Sequence, residues 1–155
     1  MRQQPTTILG FDPGIATTGF ALIETNQLKA LDFGIISTPA QTDLALRLNE
    51  LAADCEKLLQ KSQPDLVAIE SLFFFKNQKT AFTVAQARGV LLQTVAQQGV
   101  AIRELTPLQV KLAVTGNGRA EKSQIQKMVQ QIFQLKEIPR PDDAADALAI
   151  AFTAS

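Results

Sequence analysis

The order of the apolar runs along the chain limits the possible fold more than any other feature. Three runs of strand length lie close together at the start of the chain, TTILGFDPG, TTGFALIET and KALDFGIIST. A helix is predicted next, because an apolar stripe recurs at spacings of three and four through Leu44, Leu48, Leu51, Cys55 and Leu58. Two short apolar runs, DLVAIE and VAIREL, then alternate with helical stretches at about 79–98, 107–114, 121–134 and 142–153. This order predicts an α/β fold in which a three-stranded antiparallel meander continues into a five-stranded mixed sheet with helices on both faces.

Length and composition predict one domain and restrict its chemistry. A chain of 155 residues with 46% hydrophobic residues can bury a full core, so we expect a single domain over residues 1–155. The lone cysteine, Cys55, lies on the apolar helix stripe and is interpreted as core rather than as a reactive thiol. No apolar run approaches the ~18 residues of a membrane span, and the N-terminus lacks a signal peptide's apolar region, so a cytoplasmic location is expected. The absence of histidine excludes Ser-His-Asp and Cys-His centres and leaves carboxylates, lysines and bound metal.

Charge is distributed unevenly along a chain whose net charge is zero. Lys+Arg minus Asp+Glu gives 5 − 9 = −4 for residues 1–75, 10 − 3 = +7 for residues 76–140, and 0 − 3 = −3 for residues 141–155. A net charge of zero argues against a nucleic-acid-binding protein, whereas the basic middle segment argues for one. Sequence clustering need not become a surface patch, so a solvated helical face remains an equal alternative.

Two carboxylates occupy the ends of predicted strands. Asp12 closes the first strand and Glu70 the fourth, and each is the only charge at the end of its apolar run. In open α/β sheets the functional site lies at the carboxyl ends of the strands. Alone, either residue could be an ordinary surface carboxylate or a cap. If the two strands are neighbours, however, both carboxylates project from the same edge.

The stretch RPDDAADALAIAF adds three more carboxylates at the start of the last helix. Asp143 and Asp146 are three apart and share a helix face, although Asp142 and Asp146, four apart, could share one as well. Helix electrostatics accounts for an acid at this position but not for a repelling pair. An oxygen-only cluster with Asp12 and Glu70 would select hard divalent cations such as Mg²⁺ or Mn²⁺. Two such ions are a known device for phosphodiester displacement.

Four stretches in order, FDPG with TTGFALIE, AIESLFFFKNQKTAFTVAQARGV, LTPLQVKLAVTGNGRAEKSQIQKMV and DAADALAIA, resemble the RuvC family of crossover-junction (Holliday-junction) endodeoxyribonucleases. The resemblance covers about residues 7–153. It implies a ribonuclease H-like fold, a homodimer, Mg²⁺-dependent paired nicking of strands of like polarity in a four-way DNA junction, and a branch-migration helicase as partner. It also implies that the catalytic and metal-binding tetrad is Asp12, Glu70, Asp143 and Asp146, and the family spacing favours Asp143 over Asp142.

Further residues are candidates for DNA contact. Lys111 and Lys122 match lysines that the family uses near the scissile phosphate, and Arg119 lies between them in the basic segment. Aromatic and basic residues that follow Glu70 suit base stacking and phosphate contact: Phe73, Phe74, Lys76 and Lys79. Core packing would explain at least one of the three phenylalanines at positions 73–75. Phe73 resembles the family's stacking position.

Two other patterns allow more than one interpretation. Ala81, Ala85 and Gly89, four apart, form a small-residue stripe that fits equally well a helix packed inside the protein or a dimer seam. GNGRAEKS lacks the glycine before lysine that a Walker A loop requires. A phosphotransfer protein of the actin and sugar-kinase type would need a second nucleotide-binding half, and a junction-binding subunit without chemistry would have a broken tetrad.

Overall fold

The computed structural model describes residues 4–71 and 78–155. Five strands and five helices follow one another in the predicted order. The strands are β1 (Thr7–Asp12), β2 (Thr17–Glu24), β3 (Lys29–Ser37), β4 (Leu66–Glu70) and β5 (Ala101–Leu105). The helices are α1 (Leu44–Ser62), α2 (Gln78–Gln97), α3 (Pro107–Thr115), α4 (Lys122–Ile132) and α5 (Asp142–Thr153). None of the helices within these ranges is long and apolar enough to cross a membrane.

The five strands form one mixed sheet in the order β3-β2-β1-β4-β5. β1 pairs antiparallel with β2, and β2 with β3, which confirms the meander. β4 lies parallel to β1 and to β5. Because β1 and β4 are parallel neighbours, Asp12 and Glu70 end adjacent strands at one edge of the sheet.

Alternating side chains build a core on each face of the sheet. Leu9, Phe11, Val67 and Ile69 pack with α1 and α2 on one face of the sheet. Ile8 and Ala68 pack with α3, α4 and α5 on the other face. The strand period of two therefore assigns Asp12 and Glu70 to the face that α5 covers. Helices on both faces confirm the predicted layers.

The predicted stripe on α1 is wrong at its first residue, Leu44, and correct at its centre. Leu51 and Cys55 are fully buried, so Cys55 is a core residue. Leu44, in the first turn, is 41% exposed, whereas Leu58 is partly buried and packs against the same core as the buried Leu59. Leu59 follows Cys55 by four residues, which is about one helical turn, so the two side chains lie on the same face of α1.

Two residues of the small-residue stripe lie on the outer face of α2. Ala85 and Gly89 are exposed, and a methyl group added at Gly89 would meet no atom within 4 Å. Phe82, one turn before, is 71% exposed. Close packing of this stripe against another helix of the same chain is therefore wrong for Ala85 and Gly89.

Candidate active site

Three of the predicted carboxylates converge where α5 crosses the end of β1. Asp12, Asp143 and Asp146 each offer a carboxylate oxygen, and these oxygens lie within 4.8 Å of one another. Asp12 is the last residue of β1, while Asp143 and Asp146 come from the first turns of α5. The structure therefore brings Asp143, and not Asp142, together with Asp146 and Asp12. All three are partly buried, so solvent still reaches the cluster.

Two glycines let α5 approach the sheet this closely. A Cβ at Gly10 of β1 would lie 2.5 Å from the Ala147 carbonyl oxygen and 2.8 Å from the Ala151 nitrogen. A Cβ at Gly19, which pairs with Asp12 across the β1–β2 ladder, would overlap the Asp143 carbonyl oxygen. Real Cβ atoms do not tolerate such contacts, so the helix backbone rests directly on the strand backbones.

Hydroxyl groups of β2 hold the loop and one carboxylate in place. Thr17 donates its hydroxyl to Oδ2 of Asp143 at 2.8 Å. Thr18, fully buried, donates its hydroxyl to the Gly14 carbonyl at 2.7 Å, and the Gly14 N–H donates back to that hydroxyl at 3.3 Å. These bonds fix the chain that leaves Asp12. Thr17 was not among the residues that the sequence indicated, and its partner lies 126 positions away.

Burial and mutual repulsion raise the pKa values of the cluster. Burial, followed by the charges of Asp146, Glu70 and Asp143, raises the pKa of Asp12 from 3.8 to about 8. Burial, followed by the charge of Asp146, raises the pKa of Glu70 from 4.5 to about 7, although Lys111 opposes this shift. Burial is also the main cause of the raised pKa of Asp146. Glu70 is thus an electrostatic neighbour of Asp12 and Asp146, and the cluster resists full ionisation on its own.

Lys122 supplies positive charge beside the cluster. Its Nζ lies 3.2 Å from Oδ2 of Asp146 and 3.7 Å from Oδ2 of Asp142. Burial lowers the pKa of Lys122, but the neighbouring carboxylates, Asp146 foremost, outweigh burial and raise it overall. Asp142 also pairs with Arg140 at 3.2 Å, so its partners are cations at the helix start.

A cleft of about 530 Å³ opens beside the carboxylates between α3, α4 and α5. Its charged lining consists of Glu70, Lys111, Arg119, Glu121, Lys122 and Asp146. Three of the predicted DNA-contacting cations, Lys111, Arg119 and Lys122, therefore face the same cleft as two of the predicted tetrad. These three cations of the basic segment lie on one surface, which they share with an equal number of carboxylates.

The remaining predicted contacts follow β4. Phe73, Phe74 and Lys76 lie outside the described residues. Lys79 is exposed in the first turn of α2 and does not line the cleft.

Comparison with known proteins agrees with this geometry. The family described as "Crossover junction endodeoxyribonuclease RuvC" matches residues 8–154. The chain belongs to the RuvC family. A RuvC protein of Syntrophomonas wolfei is 53% identical over 146 residues, which cover 93% of this chain and 85% of that protein. One of Caldicellulosiruptor saccharolyticus is 50% identical over 147 residues, covering 93% and 89%.

Solved structures extend the comparison to the whole fold. Thermus thermophilus RuvC in complex with a Holliday junction substrate superposes with a TM-score of 0.90 at 34% identity, covering 96% of this chain and 92% of that one. A yeast mitochondrial Holliday junction resolvase superposes with a TM-score of 0.64 at 13% identity, covering 95% and 78%. The second likeness concerns the fold alone. RuvC membership confirms the ribonuclease H-like fold and the nuclease family that the sequence motifs indicated.

Proposed function

We propose that this protein resolves four-way DNA junctions by metal-dependent, paired nicking of strands of like polarity during recombination and repair. One observation carries the proposal: Asp12, Asp143 and Asp146 converge at the edge of a cleft that Lys111, Arg119 and Lys122 also line. Carboxylates that could hold a cation thus lie beside side chains that attract phosphate. RuvC membership supports a crossover junction as the substrate.

The donor set fits Mg²⁺, with Mn²⁺ as a substitute. Asp12, Asp143, Asp146 and the adjacent Glu70 offer only oxygen, which hard divalent cations prefer. The raised pKa values of Asp12 and Glu70 also fit, because added positive charge would relieve the repulsion that raises them. We propose two ions per active site, held by these four carboxylates. Bound cations of this kind would lower the pKa of a bound water molecule and stabilise the negative charge on the leaving oxygen.

Each side chain has a distinct part in this proposal. Thr17 donates to Oδ2 of Asp143 and so fixes the orientation of this carboxylate. Lys111 and Lys122 orient the scissile phosphate, and Arg119 contacts the DNA backbone further along the cleft. Lys122 now pairs with Asp146, so it would exchange a carboxylate for a phosphate when DNA enters.

Beyond β4, we propose that Phe73 stacks on an unpaired base, with Phe74, Lys76 and Lys79 as further DNA contacts. A stacked base contributes ~1 to 3 kcal/mol. Phe73→Ala should therefore reduce junction cleavage more than junction binding. An equal fall in both, together with a lowered melting temperature, would indicate a core position instead.

We propose a homodimer whose seam includes the outer face of α2. Ala85 and Gly89 are exposed there beside the 71% exposed Phe82, which supports a close helix contact with a second copy. Ala85→Leu should halve the mass in solution or unfold the protein. Ala53→Leu, at an exposed position of α1, is the matched control. Equal masses for parent and both variants would exclude this seam.

We also propose a cytoplasmic location and a branch-migration helicase as partner, the partner being implied by RuvC membership. Nicking of a synthetic immobile junction, with linear duplex as control, tests the proposal. We expect cutting with Mg²⁺ or Mn²⁺ but not with Ca²⁺, which takes more ligands at longer distances. Equal cutting of junction and duplex would exclude a resolvase.

Junction binding should weaken steeply as salt rises, because Lys111, Arg119 and Lys122 release counterions from phosphates. A flat response would show that these three cations do not contact DNA phosphates.

A further inference from the structure

Arg88 joins α2 to the end of the strand that carries Glu70. Its side chain is only 17% exposed and lies under the helix, against the sheet edge. Nε donates to the main-chain carbonyl of Glu70 at 3.2 Å, and Nη2 donates to Oε1 of Glu104 at 2.5 Å. The guanidinium therefore holds β4 and β5 at the same point.

The Glu70 carbonyl lies where the strand ladders end. β4 pairs with β1 only as far as Ile69, and with β5 as far as Glu70 opposite Leu105. The next residue, Ser71, donates its N–H to the Leu105 carbonyl at 2.7 Å. Arg88 and Ser71 thus fix the peptide plane that follows Glu70, and a fixed backbone plane sets the direction of the Cα–Cβ bond.

The ion pair itself contributes little to stability. Glu104 is 52% exposed, so solvent screens the pair on the side of the carboxylate. What an arginine adds is geometry, because its planar fork directs two donors at fixed angles. Lysine could reach the carbonyl or Glu104 but could not hold both in one orientation.

We propose that Arg88 is a positioning residue that aims the Glu70 carboxylate at the metal-binding cluster through its contact with the Glu70 main chain. The proposal rests on the proposed function of that cluster. It assigns no contact between Arg88 and substrate.

Arg88→Met removes the donors while keeping a long side chain. Arg103→Met is the matched control, because Arg103 donates to a main-chain carbonyl too, that of Ala154 at 2.6 Å, at the far end of α5. Glu104→Gln keeps the contact with Glu70 and removes only the ion pair. The measurements are the single-turnover cleavage rate at saturating junction, junction affinity without metal, Mn²⁺ binding by calorimetry, and the melting temperature.

We expect Arg88→Met to slow single-turnover cleavage at least about tenfold and to weaken Mn²⁺ binding severalfold, as residues that orient metal ligands do. Junction affinity and melting temperature should match those of Arg103→Met. Arg88→Lys should fall between parent and Arg88→Met, and Glu104→Gln should resemble the parent. Equal rates and equal Mn²⁺ binding for Arg88→Met and Arg103→Met would overturn the proposal.

Two further outcomes are also decisive. If Arg88→Met does not fold, Arg88→Lys against Arg103→Lys decides, and equal losses of rate overturn the proposal. If the parent protein does not cut junctions, the proposed function fails, and the difference in Mn²⁺ binding between the two methionine variants alone tests Arg88.

Discussion

Removing the charge of Asp12 should stabilise the metal-free protein at alkaline pH. The folded protein keeps a proton on Asp12 up to about pH 8, whereas a carboxyl with the ordinary pKa of 3.8 releases it far lower. Between these values the folded state binds more protons than the unfolded state, so the free energy of unfolding falls as the pH rises. Asp12→Asn, which mimics the protonated form, escapes this loss.

The size of the effect follows from the shift and from the surroundings of Asp12. A rise from 3.8 to about 8 is about four pKa units, which sets an upper limit of ~6 kcal/mol at about 1.36 kcal/mol per unit. Asp12 is partly exposed, and its repulsion is shared with Glu70 and Asp146. We therefore expect a loss of ~1 to 3 kcal/mol between pH 5 and pH 8.5, because solvent screens part of the interaction.

Urea denaturation in chelator at both pH values measures this loss. Asp12→Asn should exceed the parent at both pH values, and by more at pH 8.5 than at pH 5, because the loss begins near the ordinary pKa of 3.8. Asp32→Asn is the control, because Asp32 is 47% exposed beside Lys61, away from the cluster. Mg²⁺ should restore parent stability at pH 8.5, since a ligand that binds only the folded state stabilises it. A parent midpoint that is equal at pH 5 and pH 8.5 would refute the reasoning.

Three further perturbations have defined outcomes. Gly19→Ala should slow junction cleavage at least about tenfold and lower the free energy of unfolding by ~1 to 3 kcal/mol, because the added methyl group overlaps the backbone of α5. Gly34→Ala is the control and should retain activity, because its methyl group meets only the ring edge of Phe20 at 3.3 Å. Asp143→Asn should abolish cleavage while junction binding, measured by gel shift, persists. Asp142→Asn should lower the free energy of unfolding by up to ~1 kcal/mol and change activity little. The reverse pattern would mean that Asp142 belongs to the site. Burial raises the pKa of the Cys55 thiol to about 12, so a thiol reagent at pH 8 should label the protein only after urea is added.

The elements of the fold were predictable because each depends on local pattern. The helix that begins at Asp142 follows from the acids and alanines after Pro141, and Asp12 and Glu70 were found because a lone charge ended each apolar run. The side-chain contacts were not predictable. Thr17 meets Asp143 across 126 positions, and Arg88 meets Glu70 only because α2 packs against the sheet. Such partners depend on how the elements pack, which periodicity does not describe.

The contact of α5 with Gly10 and Gly19 affects how far this molecule can diverge in sequence. Most helices are spaced from a sheet by side chains, so each substitution in the core changes the spacing by a fraction of an ångström. Here main chain touches main chain, and the separation of Asp12 from Asp143 is set by atoms that every amino acid possesses. Aliphatic residues elsewhere in the core can therefore be exchanged over evolutionary time, or by a protein engineer, without resetting the alignment of the carboxylates.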